Sequence, residues 1–284
     1  MPNYRYVFFG TPHIAETALQ KLVAGGLVPS LVVTGMDKKQ GRGMVLTPTP
    51  VKAYAEAQGI PVLTPLKITP EVISELKEQG PWDFFVVVAY GKILRQELLD
   101  VANGKVINIH PSLLPKYRGP SPIESVLLSD DTETAVTVME IDALVDHGPI
   151  IAQESFALPK ETVRTDLETK SAELGAEMIL KHIESYVSGG LIPTPQDHDA
   201  STHTKKIQKE DGDITAVASD WEKWKHFRAY IGRPGTYFYT THKGAQVRVK
   251  ITKAHWDNAF IIDEVIPENQ KPLPFSVFEK WLLD

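Results

Sequence analysis

The sequence predicts an α/β protein: an open, mostly parallel sheet forms the larger part, and a smaller, β-rich part follows it. In the first half of the chain, short β-branched and aromatic runs alternate with segments of helical periodicity. This alternation is typical of strand–helix–strand units with right-handed crossovers. After residue 204 the pattern changes to short strand-like runs separated by turn residues, which indicates a second domain of a different kind.

The strands of the larger part are short, and the most apolar of them is predicted at residues 84–88. Because every position in this run is apolar, it is typical of a central parallel strand covered on both faces. The other strands are predicted at residues 6–9, 31–33, 106–110 and 136–140, and a short run at 61–63 separates two helical segments. Helical spacing of apolar residues predicts helices at residues 14–24, 51–58, 71–79 and 163–187.

The chain is predicted to divide into a domain at 1–190, a linker at 191–208 and a small β-rich domain at 209–284. The linker prediction rests on a polar stretch at 194–204 that is rich in Pro, Asp, His, Ser and Thr. A tryptophan-rich helix is predicted at 221–230, and strands are predicted at 237–239, 247–251 and 260–262.

The composition excludes several classes of protein. A chain of 284 residues with 42% hydrophobic and 23% charged residues is globular and buries a core. The absence of cysteine excludes disulfide frameworks, thiolate zinc sites, iron–sulfur clusters and a cysteine nucleophile. The net charge is −6, yet from Lys205 onward 13 Lys and Arg face 11 Asp and Glu. A slightly basic tail on an acidic body is compatible with a polyanionic partner at one end.

No targeting or membrane segment is predicted. The first ten residues contain one arginine and an apolar run too short for a signal peptide. The longest apolar stretch, at 84–90, is far too short to span a bilayer. We therefore expect a cytoplasmic protein without a membrane partner. We also expect a monomer.

Candidate reactive residues follow the predicted strands. Asn108 and His110 end one strand two positions apart and so point to the same face, and Asp146 follows a later strand. An amide, an imidazole and a carboxylate at strand ends suit the attack of an amine on an acyl group. Asn108 would donate to the developing oxyanion, His110 would move a proton, and Asp146 would orient the ring. On spacing alone, a buried histidine and two turn residues with ordinary hydrogen bonds are an equally good interpretation.

These residues belong to a longer set of motifs. The run Asn108-x-His110-x-Ser112-Leu113-Leu114-Pro115-x-x-x-Gly119, with Asp146 beyond the next strand, resembles the 10-formyltetrahydrofolate-dependent formyltransferases. Further segments are similar to the methionyl-tRNA formyltransferases within that family. They are FGTP at 9–12, GRGMVLTPTPVK at 41–52, VVAYGKIL at 87–94 and YRGPSPI at 117–123. The similarity runs nearly without interruption from Tyr6 to about Phe156.

The resemblance implies a Rossmann-like formyltransferase fold followed by a reduced, OB-like domain. It implies formyl transfer from 10-formyltetrahydrofolate to the α-amine of methionyl-initiator tRNA, for translation initiation, without a metal. Asn108, His110 and Asp146 would be catalytic, with a protonated His110 helping Asn108 to stabilise the oxyanion. The implied folate-binding residues are Ala89, Tyr90, Gly91, Ser112, Leu113, Leu114, Pro115 and Asp142.

The resemblance also implies that the basic segment at 38–44 is a mobile loop that enters the tRNA acceptor stem. Arg42 would lead it, with Lys38 and Lys39 beside it, because a planar guanidinium contacts both phosphates and bases. The family usually has an acidic-Arg-Pro sequence before this loop, where this chain has Met36-Asp37-Lys38-Lys39. A solvated surface loop is the alternative interpretation.

The C-terminal domain would present a basic face to the tRNA backbone, with Arg248 among its residues. About one hairpin between Trp256 and Phe260 is missing from the usual pattern of the family. Ordinary solubilising charges are the alternative interpretation of this face.

Three other functions compete with this one. A sugar N-formyltransferase acting on a nucleotide-linked amino sugar would share Asn108, His110 and Asp146, without an evident need for a Gly41-Arg42-Gly43 loop. A folate-dependent hydrolase would use water in place of the amine. A catalytically silent RNA-binding protein is disfavoured, because an unused buried ionisable pair costs stability.

Overall fold

The computed structural model describes residues 2–40 and 43–283. The chain divides into two compact units, each built from discontinuous stretches. The first unit comprises the chain up to Arg118, Ala135–Phe156 and Glu168–His203. The second comprises Gly119–Thr134, Ala157–Leu167 and the chain from Thr204 onward. Two stretches of the predicted domain 1–190 therefore pack in the second unit, and the limits at 190 and 208 stay a prediction.

Strands and helices alternate through most of the chain. The strands are Tyr6–Gly10 (β1), Leu31–Val33 (β2), Lys38–Gln40 (β3), Val45–Thr47 (β4), Val62–Leu63 (β5), Phe84–Val88 (β6), Val106–His110 (β7), Glu133–Glu140 (β8), Ile150–Ala157 (β9), Tyr237–His242 (β10), Ala245–Trp256 (β11), Phe260–Pro267 (β12) and Leu273–Pro274 (β13). The helices are His13–Ala24 (α1), Pro50–Ala57 (α2), Pro70–Gln79 (α3), Gln96–Leu99 (α4), Pro122–Leu128 (α5), Arg164–Val187 (α6), Asp220–Tyr230 (α7) and Phe275–Leu283 (α8). Short 3-10 turns lie at Asp100–Ala102, His198–Ala200 and Glu210–Gly212.

A seven-stranded sheet has the strand order β5-β2-β1-β6-β7-β8-β9. Its first five strands are parallel, and β8 runs antiparallel to β7. Every residue of β1 and β6 is buried, which places these two apolar strands at the centre. The predicted open, mostly parallel sheet is confirmed.

The strand order reverses between β1 and β6. The chain runs from β1 to β2 and β5 on one side, and then to β6 and β7 on the other. Open α/β sheets bind ligands at such a switch point, beyond the carboxyl ends of the strands. The segments that follow β6 and β7 therefore border the expected ligand crevice.

The two faces of β7 have different neighbours. Ile109 points towards α6, where Gly175 leaves room for it, since a Cβ atom at position 175 would overlap the Ile109 side chain. Because strand side chains alternate, Asn108 and His110 point to the opposite face. The packing of α6 thus leaves both polar side chains on the face that α6 does not cover.

A four-stranded antiparallel sheet, in the order β10-β11-β12-β13, forms the centre of the second unit. Trp224 and Phe227 of α7 pack in its core with Val249 and Ile251 of β11 and Phe278 of α8. The predicted small β-rich domain is confirmed. Among the described residues this sheet is open, with β10 and β13 at its edges, and β11 continues into β12 through a short turn at 257–259.

Several elements were not predicted, among them the short α4 and β13, and for two of the missed features the reason is identifiable. β3 and β4 form a separate two-stranded sheet, and the sequence Lys38-Lys39-Gln40 carries no apolar signal for a strand. α5 begins at Pro122, two residues after Pro120, and two closely spaced prolines are typical of a loop in a sequence, so the helix was not recognised. β9 and the terminal helix α8 were also missed. In residues 2–40 and 43–283, no helix combines the length and apolarity that crossing a membrane would require.

Candidate active site

His110 and Asp146 face each other beyond the carboxyl end of β7. The Nδ1 atom of His110 lies 3.6 Å from Oδ1 of Asp146. The imidazole is buried, while the carboxylate keeps 18% of its side-chain surface exposed. The structure therefore brings together two of the three residues predicted to be catalytic, with the carboxylate on the solvent side.

The other nitrogen of His110 is already engaged. Its Nε2 atom lies 3.1 Å from the backbone carbonyl oxygen of Tyr117. A carbonyl oxygen only accepts, so Nε2 carries a hydrogen and donates it. Nδ1 is consequently the nitrogen available to gain or lose a proton, and it is the one that faces Asp146.

The pKa of His110 is lowered by some features of its surroundings and raised by others. Burial disfavours the imidazolium and lowers the pKa of His110 below its ordinary value, and the positive charge of Arg118 acts in the same direction. The Asp146 carboxylate and the bond to Tyr117 raise this pKa, but burial is the larger effect. The resting protein thus favours a neutral ring that holds a lone pair at Nδ1.

Asn108 is half-buried, two positions before His110 on the same face of β7. Within the described part of the chain its side-chain amide makes no hydrogen bond. A half-buried amide that lacks a protein partner can donate to a ligand atom without first breaking another bond. Asn108, His110 and Asp146 therefore combine an open donor, a proton-accepting nitrogen and a carboxylate.

Asp146 lies in a tight turn between β8 and β9. Its backbone φ is 49°, a left-handed conformation that is uncommon for a residue other than glycine. Asp142 stabilises the same turn, because its carboxylate accepts from Leu144 N at 2.9 Å and lies 2.7 Å from Nδ1 of His147. Gly148 ends the turn where a Cβ atom would overlap the Glu140 carbonyl group. Asp142, predicted to bind folate, thus has a structural contact within the turn.

The residues Ala89, Tyr90 and Gly91 follow β6 directly. Ala89 and Gly91 are exposed and left-handed, with φ of 44° and 76°. Tyr90 is buried, its hydroxyl oxygen has no hydrogen-bond partner within the described residues, and burial raises the pKa of Tyr90 to about 12. The hydroxyl is enclosed in the core, so the groups that this edge can offer to a polar ligand are the exposed backbone turns at Ala89 and Gly91.

The Ser112–Pro115 loop is stabilised through its backbone. The hydroxyl of Thr137 donates to Ser112 O at 2.7 Å, and Gln153 Nε2 donates to Leu114 O at 3.0 Å. Ser112 is fully buried and donates to Lys116 O at 2.7 Å, while Leu113 and Pro115 are half-buried. Most backbone polar groups of this loop are therefore engaged within the protein, and the loop offers mainly apolar side chains to the crevice.

The residues predicted to bind tRNA lie in both units. Lys38 and Lys39 are exposed on β3 in the first unit. Arg42 lies outside the described residues. Arg248 is exposed on β11 in the second unit, with its guanidinium carbon 3.8 Å from the centre of the Tyr237 ring. The predicted recognition residues that can be located are thus solvent-facing.

A metal site was not expected, and the described residues contain no group of three or more His, Asp and Glu side chains placed to hold an ion. His147 pairs with Asp142 and stacks on the ring of His198, with 3.9 Å between the ring centres.

Sequence reasoning missed the residues that hold this site in place. Tyr117 contributes a backbone carbonyl, which no side-chain motif reveals. Gln196 lies in the predicted linker, yet its side chain is buried and bonds to the turn that carries Asp146. Arg118 belongs to a quoted motif, but its partner at position 196 is distant in sequence.

Comparisons with known proteins agree with this architecture. The protein family described as formyl transferase matches residues 4–183. A methionyl-tRNA formyltransferase of Roseiflexus castenholzii (strain DSM 13941 / HLO8) is 36% identical over 302 residues, which cover 96% of this chain and 94% of that protein.

Two solved structures share the fold. A methionyl-tRNA formyltransferase from Clostridium thermocellum has a TM-score of 0.63 at 14% identity, covering 93% of this chain and 98% of that one. An N-formyltransferase from Helicobacter canadensis, in complex with folinic acid and dTDP-3-aminofucose, has a TM-score of 0.62 at 21% identity, covering 90% and 88%.

Proposed function

The chain belongs to the methionyl-tRNA formyltransferase family, and we propose that it transfers a formyl group from 10-formyltetrahydrofolate to the α-amine of methionyl-initiator tRNA. The observation that carries this proposal is the pairing of His110 Nδ1 with Asp146 at 3.6 Å, beside the open amide of Asn108. We also propose that it is a monomer and acts in the cytoplasm, where initiator tRNA is used.

The proposed folate site lies along the carboxyl ends of β6 and β7. Ala89, Tyr90 and Gly91 would offer backbone groups to the pterin ring, together with the turn at 142–146. The rest of the proposed folate site would be lined by the loop formed by Ser112, Leu113, Leu114 and Pro115. When bound, 10-formyltetrahydrofolate supplies the formyl group. The exposed side chains of Leu144 and Val145 offer apolar surface for its flat rings.

Asn108 and His110 have different roles in the proposed reaction: Asn108 donates a hydrogen bond, and His110 transfers a proton. The Asn108 amide donates to the formyl oxygen as negative charge develops there. A neutral α-amine is available near pH 7, because such a group has a pKa of about 7.7–8.0. His110 Nδ1 takes the proton that the amine loses on attack and returns it to the departing nitrogen.

Asp146 stabilises the imidazolium while His110 carries that proton. In this sequence of events the ring is neutral before reaction and charged during it, because burial lowers the pKa of His110 in the resting protein. The protonated His110 expected from the resemblance therefore corresponds to the reacting state.

The acceptor tRNA would contact basic residues in both units. Lys38 and Lys39 are exposed, and we propose that they contact the acceptor stem with Arg42. Arg248 and its neighbours on β11 would follow the phosphate backbone. Supporting this acceptor is the 36% identity to a methionyl-tRNA formyltransferase, which extends over 96% of this chain.

A side-by-side assay tests the acceptor. Purified protein and 10-formyltetrahydrofolate are mixed with methionyl-tRNA, with a nucleotide-linked amino sugar, or with neither. We expect formylmethionyl-tRNA only in the first mixture, and a rate about 10²–10⁴-fold lower for His110→Ala, because that variant lacks the proton-transfer group. Formylation of the amino sugar alone, or release of formate without acceptor, would contradict the proposal.

A further inference from the structure

The segment Thr194–His203, here called the clamp segment, passes beside both loops of the proposed active site. Most of its residues are exposed, as its polar composition predicts. Gln196 is the exception, since only 5% of its surface is accessible. A buried glutamine in an exposed, polar stretch indicates that its side chain makes specific contacts.

The Gln196 side chain joins a buried arginine to the Asp146 turn. Its Oε1 atom accepts from Nε and Nη2 of Arg118 at 3.1 and 2.6 Å. Its Nε2 atom donates to Asp146 O at 3.0 Å and to Gly148 O at 2.7 Å. A guanidinium only donates and carbonyls only accept, so the amide has one orientation and uses all four of its hydrogen-bonding positions.

These contacts restrain the backbone that carries Asp146. The residues Ala143, Leu144 and Val145 are exposed, so the outer part of the turn is not held by side-chain packing. The bonds from Gln196 to residues 146 and 148 therefore tie the inner part of the turn to the rest of the unit. The Asp146 carboxylate, 3.6 Å from His110, depends on that backbone for its position.

The same segment restrains the loop that orients His110. The hydroxyl oxygen of Thr202 accepts from Tyr117 N at 2.8 Å, and Thr202 O accepts from Arg118 N at 2.8 Å. Tyr117 O in turn accepts from His110 Nε2. One short segment thus reaches the backbone behind both members of the His110–Asp146 pair.

We propose that Gln196 and Thr202 are positioning residues, through which the clamp segment sets the distance between His110 and Asp146. Neither side chain has to touch substrate. Their effect is geometric, and a misplacement of about 1 Å in a catalytic group can cost about 100-fold in rate. This inference rests on the proposed function only in that it treats His110 and Asp146 as the proton-moving pair.

The decisive variant is Gln196→Met, which keeps the side-chain length and adds no charge. We expect kcat for formyl transfer to fall about 10- to 100-fold, with KM for the folate changed much less. The His110 titration, followed by NMR of the ring nitrogens, should move to lower pH. This follows because the Asp146 carboxylate raises the His110 pKa, and its displacement would weaken that effect while burial and Arg118 continue to lower the pKa.

Gln153→Met is the matched control. Gln153 also bridges two elements of the first unit, by donating to Leu114 O and to the Thr137 hydroxyl, but it does not contact the Asp146 turn. We expect this variant to leave the His110 titration in place. A folded Gln196→Met protein with an unchanged titration, or an equal shift in both variants, would overturn the proposal.

Thr202 gives an independent test if Gln196→Met does not fold. Thr202→Val removes the hydroxyl oxygen that accepts from Tyr117 N, and Thr202→Ser retains it. We expect kcat to fall about 10-fold in the first and to recover in the second; equal rates would overturn the proposal. The NMR titration needs no substrate, so an inactive wild-type protein whose His110 titration still responds to Gln196→Met would refute the proposed function alone.

Discussion

At the scale of single residues, His110 illustrates how a protein assigns different tasks to the two nitrogens of one ring. Nε2 is committed to a backbone carbonyl, so Nδ1 is the nitrogen left to exchange a proton, and it lies beside Asp146. Burial favours the neutral ring, while the neighbouring carboxylate stabilises the protonated ring and so partly offsets the effect of burial. Such a balance suits a group that must both accept and release a proton near neutral pH.

The buried neutral imidazole also predicts a pH-dependent stability. The unfolded chain takes up a proton at His110 near its ordinary value of 6.5, and the folded chain does so only at lower pH. The stabilisation from this group is complete above pH 6.5 and is lost as the pH falls towards the folded pKa. The slope is at most about 1.4 kcal/mol per pH unit, that of one unmatched proton.

Urea unfolding at pH 7.5 and pH 5.5 measures this effect. From pH 7.5 to pH 5.5, the free energy of unfolding should decrease less for His110→Gln than for the wild type. Identical pH dependence in wild type and His110→Gln would show that the buried ring is not neutral in the folded protein.

At the scale of elements, α7 organises the second unit through Arg228. This residue is 2% exposed, and its guanidinium donates to Leu127 O at 3.1 and 2.8 Å and to Lys160 O at 3.0 Å. Leu127 lies in the last turn of α5, where carbonyl groups lack partners within the helix. A buried cation satisfies these carbonyls and also interacts favourably with the negative end of the α5 dipole.

Arg228→Met should therefore destabilise the second unit by about 3 kcal/mol, because the buried carbonyls lose a charged donor. Urea or thermal unfolding followed by tryptophan fluorescence would report this, since Trp221 and Trp224 lie on the same helix. Lys223→Met removes a more exposed charge from α7 and should change stability by less than about 0.5 kcal/mol. Equal effects of the two variants would refute the role of Arg228 at the end of α5.

At the scale of the whole molecule, the charge distribution matters more than the net charge of −6. From Lys205 onward cations slightly exceed anions, and two of these cations lie on one face of the C-terminal sheet. Arg248 and Lys250 on β11 are exposed on the same face as Tyr239 of β10, as their pairing register requires. An exposed face that combines cations with an aromatic ring suits a nucleic-acid backbone.

Arg248→Ala should weaken binding of methionyl-tRNA and leave kcat at saturating tRNA nearly unchanged. If Arg248 contacts one phosphate, the slope of log K against log salt should decrease in magnitude by about 0.7–0.9. Filter binding or fluorescence titration over a range of salt concentrations measures this slope. Lys271→Ala, at an exposed turn between β12 and β13, is the control that should preserve the slope. A slope that Arg248→Ala does not change would remove this face from tRNA binding.

Much of this protein follows from local sequence patterns. The apolar run at 84–88 predicts a central strand, and the two-residue spacing of Asn108 and His110 predicts that they share a face. Both inferences rest on strand periodicity, which neighbouring residues encode directly. The motifs around Gly119 and Tyr90 indicate the family, because they are ordered signatures within one continuous region.

Only the tertiary structure decided which atoms meet. Gln196 is 78 residues from Arg118, and Arg228 is 101 residues from Leu127. No local pattern specifies such pairs, because they depend on how separate elements pack and on which buried polar groups need partners. The availability of Nδ1 for proton transfer has the same origin, since it follows from a backbone carbonyl that the left-handed residue Tyr117 presents to the ring.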